Sequence, residues 1–205
     1  MISNLQKTIN WYDSHAEEYS KKIKAKSPIS EIEKFVEYLP KGALVLDAGC
    51  AAGRDSEHLH DFGLSTIGID LSSKLIRIAK ANYPQLEFIE GDLLSLPFPD
   101  NKFTGVWASA SLVHLENEKQ LKKALLELKR VLKDEGVLYL SMQNRGDQPS
   151  GWVDDYHSRE GRFFQFISFE DLTKLVKAEG FEILSSFKRE SSRPEIEWSV
   201  FYLKK

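Results

Sequence analysis

The sequence predicts an α/β fold built on a mostly parallel sheet, and three observations support this. Between residues 43 and 180, apolar strand-like segments alternate with helical patterns, an order typical of parallel sheets covered by helices. Residues 181–187 and 196–203 then predict two strands joined by a turn, an antiparallel hairpin at the sheet edge. Three consecutive strands end in an aspartate: Asp47, Asp70 and Asp92. We therefore expect seven strands, one antiparallel, with helices on both faces and a ligand site where the strands end.

The N-terminal region predicts two helices that precede the sheet. Residues 4–24 carry one apolar and aromatic face, formed by Tyr12, Ala16, Tyr19 and Ile23. Residues 30–39 form the second helix, which Pro40 ends. The 205 residues fit one domain better than two, so we interpret residues 1–40 as a helical lid within a single domain of residues 1–205.

The remaining elements follow from periodicity and end signals. The predicted parallel strands are residues 43–46, 66–70, 86–90, 105–110 and 137–142. The predicted helices are residues 55–61, 72–82, 119–133 and 168–179. Ser72 and Ser168 are placed as N-caps, and Gly136 is placed just beyond the end of the third of these helices. Residues 144–165 predict a long loop, and the segment 144–166 is interpreted as an insertion on the substrate side.

Composition and charge narrow the function classes. With a formal net charge of −3, the chain lacks the overall basic character of nucleic-acid-binding proteins. Cys50 is the single cysteine, so no intrachain disulfide forms and we expect a reducing, cytoplasmic location. Cys50 itself is interpreted as a small buried side chain rather than a nucleophile. We expect no signal peptide, no membrane helix and no metal site.

A glycine-spaced loop after the first strand indicates a nucleotide-type ligand. Gly49 and Gly53 bracket small residues between that strand and a helix, which allows backbone N–H groups to approach a ligand closely. An ordinary tight turn explains the glycines equally well. Asp70 favours the ligand, because it ends the second strand about twenty residues later, where α/β nucleotide sites place a ribose-binding carboxylate.

Together these motifs resemble the class I S-adenosylmethionine-dependent methyltransferases of the small-molecule type. The matching segments are Asp47-Ala-Gly-Cys-Ala-Ala-Gly53, Gly68-Ile-Asp-Leu-Ser72, Gly91-Asp-Leu93 and residues 96–103 and 107–115. The resemblance covers residues 10–205 and implies a Rossmann-like sheet. Two residues depart from the family pattern: Ala51 replaces a glycine and Thr104 replaces an aspartate. Alanine costs little at this position if its φ is negative.

The resemblance implies S-adenosylmethionine as cofactor and S-adenosylhomocysteine as product. The implied cofactor-binding residues are Tyr19, Asp47, Gly49, Gly53, Arg54, Asp70, Leu71, Asp92, Leu93 and Ser109. In this scheme Asp70 accepts from the ribose hydroxyls, and Leu71 packs on the adenine. Asp92 and the Leu93 N–H then bind the adenine edge. The two glycines and Ser109 approach the methionine part, where Asp47 holds the ammonium and Arg54 pairs with the carboxylate.

Methyl transfer from a sulfonium requires few catalytic groups, because positioning and water exclusion supply most of the rate. A general base is needed only where the acceptor must lose a proton. The candidates are His114, His157 and the Tyr19 hydroxyl, and a packing role for His114 stays open. We expect the lid and the 150–166 loop to form the acceptor pocket with these side chains: Tyr12, Tyr19, Trp152, Tyr156, His157 and Arg162.

Three other functions remain possible at this point. An NAD-dependent oxidoreductase requires G-x-G-x-x-G, but Gly49, Ala51 and Arg54 occupy the three glycine positions. A non-catalytic S-adenosylmethionine-binding protein on the same fold stays open, because the catalytic demand is so light. An RNA or protein methyltransferase fits the acidic balance less well. We expect a small-molecule acceptor, no nucleic acid or membrane partner, and a monomer or homodimer.

Overall fold

A computed structural model describes residues 2–24, 28–146, 148–155, 158–191, 193 and 195–205. The strands are β1 (Leu44–Ala48), β2 (Ser65–Asp70), β3 (Glu87–Glu90), β4 (Phe103–Ser109), β5 (Leu132–Asn144), β6 (Gly151–Asp155), β7 (Ser158–Phe164), β8 (Glu182–Glu190) and β9 (Glu197–Lys204). The α-helices are α1 (Asn4–Ser14), α2 (Ala16–Ile23), α3 (Ile29–Glu37), α4 (Arg54–Asp61), α5 (Ser73–Asn82), α6 (Glu118–Val131) and α7 (Phe169–Ala178). A 3₁₀ helix spans Leu112–His114.

Seven strands form the main sheet in the order β3-β2-β1-β4-β5-β9-β8. The pairs β2–β3, β1–β2, β1–β4 and β4–β5 are parallel, and β9 is antiparallel to both of its neighbours, β5 and β8. This confirms the predicted Rossmann-like sheet with a single antiparallel strand in a C-terminal edge hairpin. The order reverses between β1 and β4, and open α/β sheets bind ligands at such a switch point.

Alternating side chains along the strands give the sheet two packed faces. Leu46 of β1 packs in a core that α6 and α7 cover, with Leu125 and Val176 fully buried. Val45, its neighbour, packs on the opposite face in a core that includes Phe35 of α3. The central strands are therefore held from both sides, which keeps their carboxyl ends at fixed relative positions.

Two predicted helix boundaries are wrong. The expected helix 4–24 is interrupted at His15, whose backbone φ of −114° leaves the helical range between α1 and α2. Its ring stacks on Trp11 with 4.5 Å between centroids. The helix α6 ends at Val131, because Leu132 is already extended and pairs with Phe103 of β4. Gly136 is therefore not a helix cap, and Glu135 carries the left-handed φ of 64° instead.

The predicted loop 144–165 is also wrong, because it contains the antiparallel hairpin β6–β7. Trp152 pairs with Phe163 across this hairpin. The hairpin docks on α1, where the Phe163 N–H donates to Thr8 Oγ1 at 3.1 Å. A two-stranded hairpin is marginal alone, so this docking accounts for strands that local sequence signals did not indicate.

The described helices include none with the length and apolar character needed to cross a membrane. Within the same described ranges, no cluster of three or more His, Cys, Asp or Glu side chains is arranged to hold a metal ion.

Candidate functional site

A cavity of about 490 Å³ lies at the carboxyl edge of the sheet. Its floor comes from the ends of β1, β2, β4 and β5, and its roof comes from α1 and α2. Ten residues of the sequence prediction line it: Tyr12, Tyr19, Asp47, Gly49, Arg54, Asp70, Leu71, Leu93, Ser109 and His114. Two predicted cofactor residues, Gly53 and Asp92, are not among the lining residues. The structure thus brings most of the predicted site together in one space.

The two glycines of the loop are required for different reasons. Gly49 has a φ of 86°, and a Cβ there would lie 2.2 Å from the Cβ of Ser111, so only glycine fits beside the cavity. Gly53 has a φ of 85°, and its Cβ would meet the rings of Phe88 and Tyr83 at 2.7 and 2.9 Å. Gly49 therefore shapes the cavity, whereas Gly53 permits close packing beneath the loop.

Ala51 does not meet the condition under which alanine would cost little, because its φ is 48° and not negative. An L-residue is strained in this left-handed region, which glycine adopts freely. A hydrogen bond of 2.9 Å from the Ala51 N–H to Oδ2 of Asp70 stabilises this strained conformation. The position that the family fills with glycine thus keeps a glycine-like backbone in this chain.

Asp70 lies at the end of β2 and faces the cavity. Backbone N–H groups hold its carboxylate in position. Its Oδ1 accepts from the Ser72 N–H at 2.8 Å, while Oδ2 accepts from Ala51. Burial raises the pKa of this carboxyl, and the hydrogen bonds from Ser72 and Ala51 oppose the rise. Each oxygen retains a lone pair for a further donor. Ser72 also ties the roof to this edge, because its Oγ donates to Asp13 of α1 at 2.6 Å.

A second acidic group lies at the end of β1. Asp47 is buried and its Oδ2 accepts from Ser56 Oγ at 2.6 Å. Burial, together with the nearby charge of Asp55, raises the pKa of Asp47 to about 8. Asp55 is ion-paired with Arg54 at 2.6 Å, and Arg54 Nη1 also donates to the Ile23 carbonyl at 3.0 Å. Arg54 therefore connects the end of α2 to the start of α4.

The two predicted adenine-binding residues differ in position. Leu93 lines the cavity and is buried. Asp92 is half-buried, and its Oδ1 accepts from the Leu94 N–H at 2.8 Å. This bond closes a local turn after β3 and orients the carboxylate.

The roof contains a hydrogen-bonded chain of three side chains. Arg162 Nη1 donates to the Tyr12 hydroxyl at 2.7 Å, and that hydroxyl lies 2.8 Å from His114 Nε2. His114 Nδ1 lies 2.8 Å from the Phe163 carbonyl, which only accepts. Nδ1 therefore carries the proton, and Nε2 accepts from Tyr12. Burial, reinforced by the Arg162 charge, lowers the pKa of His114 to about 3, so the ring is neutral at pH 7.

Aromatic rings surround the Arg162 guanidinium. Its central carbon lies 4.5 Å from the Trp11 ring centroid, 5.2 Å from Tyr12, 5.8 Å from Tyr19 and 5.3 Å from Phe164. Tyr19 contacts Tyr12 edge-on with centroids 4.9 Å apart. Burial and the neighbouring Tyr12 raise the pKa of Tyr19 above its ordinary value, so Tyr19 stays protonated. The roof is a packed aromatic layer and not an open groove.

The acceptor pocket predicted from the lid and residues 150–166 stays a prediction, because part of this segment lies outside the described residues. Among residues 150–154 and 161–166, whose side chains the structure describes, none lines the cavity, and Arg162 donates to Tyr12, which does line it. Trp152 is 44% exposed on the hairpin. His157 and Tyr156 lie outside the described residues. Sequence reasoning missed Arg189 and Trp198, which line the cavity from the C-terminal hairpin and carry no motif.

The chain is similar to known methyltransferases. A family model described as a methyltransferase domain matches residues 46–140. A demethylmenaquinone methyltransferase of Renibacterium salmoninarum is 38% identical over 100 residues, which are 49% of this chain and 41% of that protein. A "probable S-adenosylmethionine-dependent methyltransferase" of Mycolicibacterium smegmatis is 30% identical over 148 residues, 69% of this chain and 53% of that protein. The chain thus spans only about half the length, or less, of these curated relatives.

A solved structure shares the fold over nearly the whole chain. It is Burkholderia thailandensis 1,6-didemethyltoxoflavin-N1-methyltransferase with bound 1,6-didemethyltoxoflavin and S-adenosylhomocysteine. The TM-score is 0.77 at 18% identity, and the alignment covers 96% of this chain and 86% of that one.

Proposed function

The chain belongs to the class I S-adenosylmethionine-dependent methyltransferases, and we propose that it transfers the methyl group of this cofactor to a small-molecule acceptor. One observation carries the proposal. A single cavity joins the acidic, glycine-lined edge at Gly49 and Asp70 to a roof that presents Tyr12 and His114. Its volume of about 490 Å³ is within the range of small-ligand sites.

The cofactor would occupy the floor of this cavity. Asp70 has lone pairs for the ribose hydroxyls beyond its two backbone bonds. Gly49 leaves space for close approach of the methionine part, and Asp47 would hold the ammonium once ionised. Leu71 and Leu93 supply apolar contacts for the adenine. Among the other predicted contacts, Ser109 lines the cavity, and Arg54 is positioned by Asp55.

Asp92 and Gly53 have indirect roles in this proposal. Asp92 sits next to Leu93 and would reach the adenine amino group from the edge of the cavity. Gly53 allows the loop to pack closely against Phe88, and this packing would fix the position of Gly49 relative to the sheet. Both are supporting contributions to the same cofactor site.

The cofactor supplies an activated methyl group, and the protein residues orient the acceptor and exclude water. The aromatic layer of Tyr12, Tyr19 and Trp11 closes the roof, which favours a reaction whose transition state disperses charge. Tyr12 and His114 both line the cavity, and the Tyr12 hydroxyl is hydrogen-bonded to Nε2 of His114, so a proton leaving the acceptor would pass to Tyr12 while the Tyr12 proton moves to Nε2. A base as weak as His114 accepts that proton only after methylation has made the acceptor acidic.

Of the three predicted catalytic residues, we therefore assign His114 to the proton relay and Tyr19 to acceptor positioning. His157 stays a prediction from sequence. A small acceptor is supported over RNA or protein by the roof, which α1 and α2 close over the cavity and which Asp13 fastens to Ser72.

The test measures S-adenosylhomocysteine release by the purified chain. Pools of small-molecule acceptors are compared with a tRNA preparation and a protein extract, each with S-adenosylmethionine. Release with a small-molecule pool is expected. Release with tRNA or protein alone contradicts the small-acceptor proposal, and the absence of release with every pool contradicts the activity.

Calorimetry tests the cofactor site independently of turnover. Asp70→Ala should weaken S-adenosylmethionine binding at least tenfold, since removal of a charge-assisted partner typically costs ~1.5–3 kcal/mol. Asp61→Ala removes an exposed aspartate at the end of α4 and should bind as wild type. Unchanged affinity in Asp70→Ala would contradict the site, and tight NADH binding with none for S-adenosylmethionine would reverse the whole assignment.

A further inference from the structure

One end of the cavity is formed by residues outside the methyltransferase motifs. Arg189 of β8 and Trp198 of β9 are direct antiparallel partners, and both line the cavity. Trp198 also pairs with Gln143 of β5 on its other side. Because directly paired residues project to the same face of a sheet, these three side chains form one row across β5, β9 and β8.

The register relates this row to the cofactor floor. Ser109 of β4 pairs with Ser141 of β5, and Ser141 pairs with Val200 of β9. Since Gln143 is two residues beyond Ser141, the Arg189 row lies on the same face, one pleat repeat further toward the carboxyl edge. Three strand spacings separate β4 from β8, so Arg189 lies roughly 14 Å across the sheet from Ser109.

Arg189 is held in place with part of its donor capacity unused. Its Nη1 donates to Glu31 Oε1 at 2.6 Å, and its guanidinium carbon lies 5.6 Å from the Trp198 ring centroid. Among the residues that the structure describes, the buried Nε of Arg189 has no hydrogen-bond partner. Buried donors are rarely left without a partner, and each such donor in a structure calls for an explanation, of which a bound group in the adjoining cavity is one.

Glu31 holds the Arg189 guanidinium in position but engages only part of its hydrogen-bond donors. The Glu31 side chain is buried, and its second oxygen, Oε2, accepts from Ser30 Oγ at 2.9 Å. The start of α3 thus presents a carboxylate to one side of Arg189, and the cavity lies on another side. Beside Arg189, the cavity is lined by the flat ring of Trp198, and Pro28 and Ile23 are among its other apolar lining residues.

We propose that the methyl acceptor is a flat, apolar molecule with a carboxylate, which the guanidinium fork of Arg189 binds while Trp198 packs against the apolar body. This inference rests on the proposed function, since it names the acceptor class of the same cavity. Arginine suits a carboxylate because its planar fork donates two parallel bonds. The separation of Arg189 from Ser109 requires the carboxylate to lie at the far end of the acceptor from the methylated atom.

A neighbouring cation offers a matched control for this arrangement. Lys34 of α3 donates to Ser185 Oγ of β8 at 2.8 Å, so it bridges the same two elements as the Glu31–Arg189 pair. Its Nζ lies 5.1 Å from the Tyr202 ring, and Lys34 does not line the cavity. Loss of Lys34 removes a cation from the α3–β8 contact without changing the proposed carboxylate site.

The test is a binding titration with two probes, 2-naphthoate and its neutral analogue 2-naphthamide, at saturating S-adenosylhomocysteine. Wild type should prefer the carboxylate at least tenfold. Arg189→Met should remove this preference, and Lys34→Met should keep it. Arg189→Lys preserves the charge beside Glu31 and loses the fork, so its preference should fall below wild type.

S-adenosylhomocysteine affinity, measured in the same samples, identifies variants that fail to fold. Equal affinity for the two probes in wild type, or no binding of 2-naphthoate, overturns the proposal. So does a preference that survives in Arg189→Met. The titration does not depend on turnover. A failed methyl-transfer assay would therefore overturn the proposed function, while the binding result could still be interpreted by itself.

Discussion

The two sides of the cavity are assembled in opposite ways. The cofactor edge, meaning the ends of β1 and β2 with residues 49–53, is held by short-range contacts. Ala51 and Asp70 are 19 residues apart, and Asp47 and Ser56 are 9 apart. The cap, meaning α1, α2 and the β6–β7 hairpin, is held by contacts between distant parts of the chain: Tyr12 to His114 spans 102 residues, Tyr12 to Arg162 spans 150, and Thr8 to Phe163 spans 155.

This difference in assembly gives the two sides of the cavity different roles. Short-range contacts form at low loop-closure cost and stand on a sheet that is packed on both faces. The cap has no sheet beneath it and depends on a few side chains at the junction of three segments. Elements that open for ligands are drawn from the less stable parts of a protein. We expect substitutions in the cap to affect stability and turnover, and substitutions at the edge to affect cofactor affinity.

The largest effect is expected for Arg162→Met. Arg162 joins the hairpin to α1 through the Tyr12 hydroxyl and four aromatic rings. Loss of one charged hydrogen bond and its cation–π contacts should lower the free energy of unfolding by about 3 kcal/mol. Affinity for S-adenosylmethionine should stay within about threefold, because cation–π and hydrogen-bond losses of this kind stay local to the cap. Urea unfolding and calorimetry measure the two quantities.

Lys102→Met is the matched control for the cap. Lys102 Nζ lies 4.5 Å from the Phe98 ring and 5.3 Å from Phe103, away from the cap. A cation at a partly exposed site contributes only about 0.5–1 kcal/mol. If Arg162→Met and Lys102→Met destabilise the chain equally, the cap does not depend on Arg162. If Arg162→Met abolishes cofactor binding while the protein stays folded, the two sides of the cavity are not separate.

The same distinction explains what the sequence predicted. The seven strands of the main sheet, its single antiparallel strand and the helix caps at Ser72 and Ser168 are confirmed, because periodicity and capping are local signals. Asp47, Asp70 and Gly49 were found at the cavity because strand ends of a parallel sheet meet at one edge. The cofactor edge could therefore be predicted from the sequence, because its residues lie within about twenty positions of one another.

The cap could not be predicted in the same way. The break at His15 accompanies stacking on Trp11, and the hairpin depends on docking against Thr8. Neither contact can be recognised from a sequence motif. Arg189 and Trp198 were missed because only the register of β8 and β9 shows that both face the cavity. Alternation along those two strands was the available signal, but it does not indicate which face is functional.

An intermediate effect is expected from acid. The pKa of His114 is lowered to about 3 in the folded chain, against about 6.5 when unfolded. Between these values the unfolded chain binds a proton that the folded chain does not, so stability falls as pH decreases through about 6.5. From pH 7 to pH 5 this contributes a loss of about 2 kcal/mol. His114→Gln should remove that part of the pH dependence in urea unfolding.

A comparison with another histidine checks this assignment. His60 is exposed on α4, so His60→Gln should retain the wild-type pH dependence. Arg162→Met should reduce it partly, since the Arg162 charge contributes to the lowered pKa of His114. An unchanged slope in His114→Gln would mean that other groups cause the acid sensitivity and that the ring is not held neutral by the cap.

The smallest effect is a gain in stability at the cofactor edge. Ala51 has a φ of 48°, and a left-handed backbone costs an L-residue about 1–2 kcal/mol. Ala51→Gly removes this strain, while the greater freedom of glycine in the unfolded chain offsets part of it. The free energy of unfolding should rise by about 0.5–1 kcal/mol, with unchanged affinity for S-adenosylmethionine, because the Ala51 N–H still donates to Asp70.

Ala52→Gly tests whether the gain comes from the backbone. Ala52 is buried beside Ala51, and its φ is not positive. Glycine there increases the freedom of the unfolded chain and removes a buried methyl group, so it should destabilise the protein by about 1 kcal/mol. Opposite signs for the two neighbours place the strain at residue 51. A loss of stability in both variants would mean that the Ala51 methyl packs usefully against the cap, and that this short-range edge depends on long-range contacts as well.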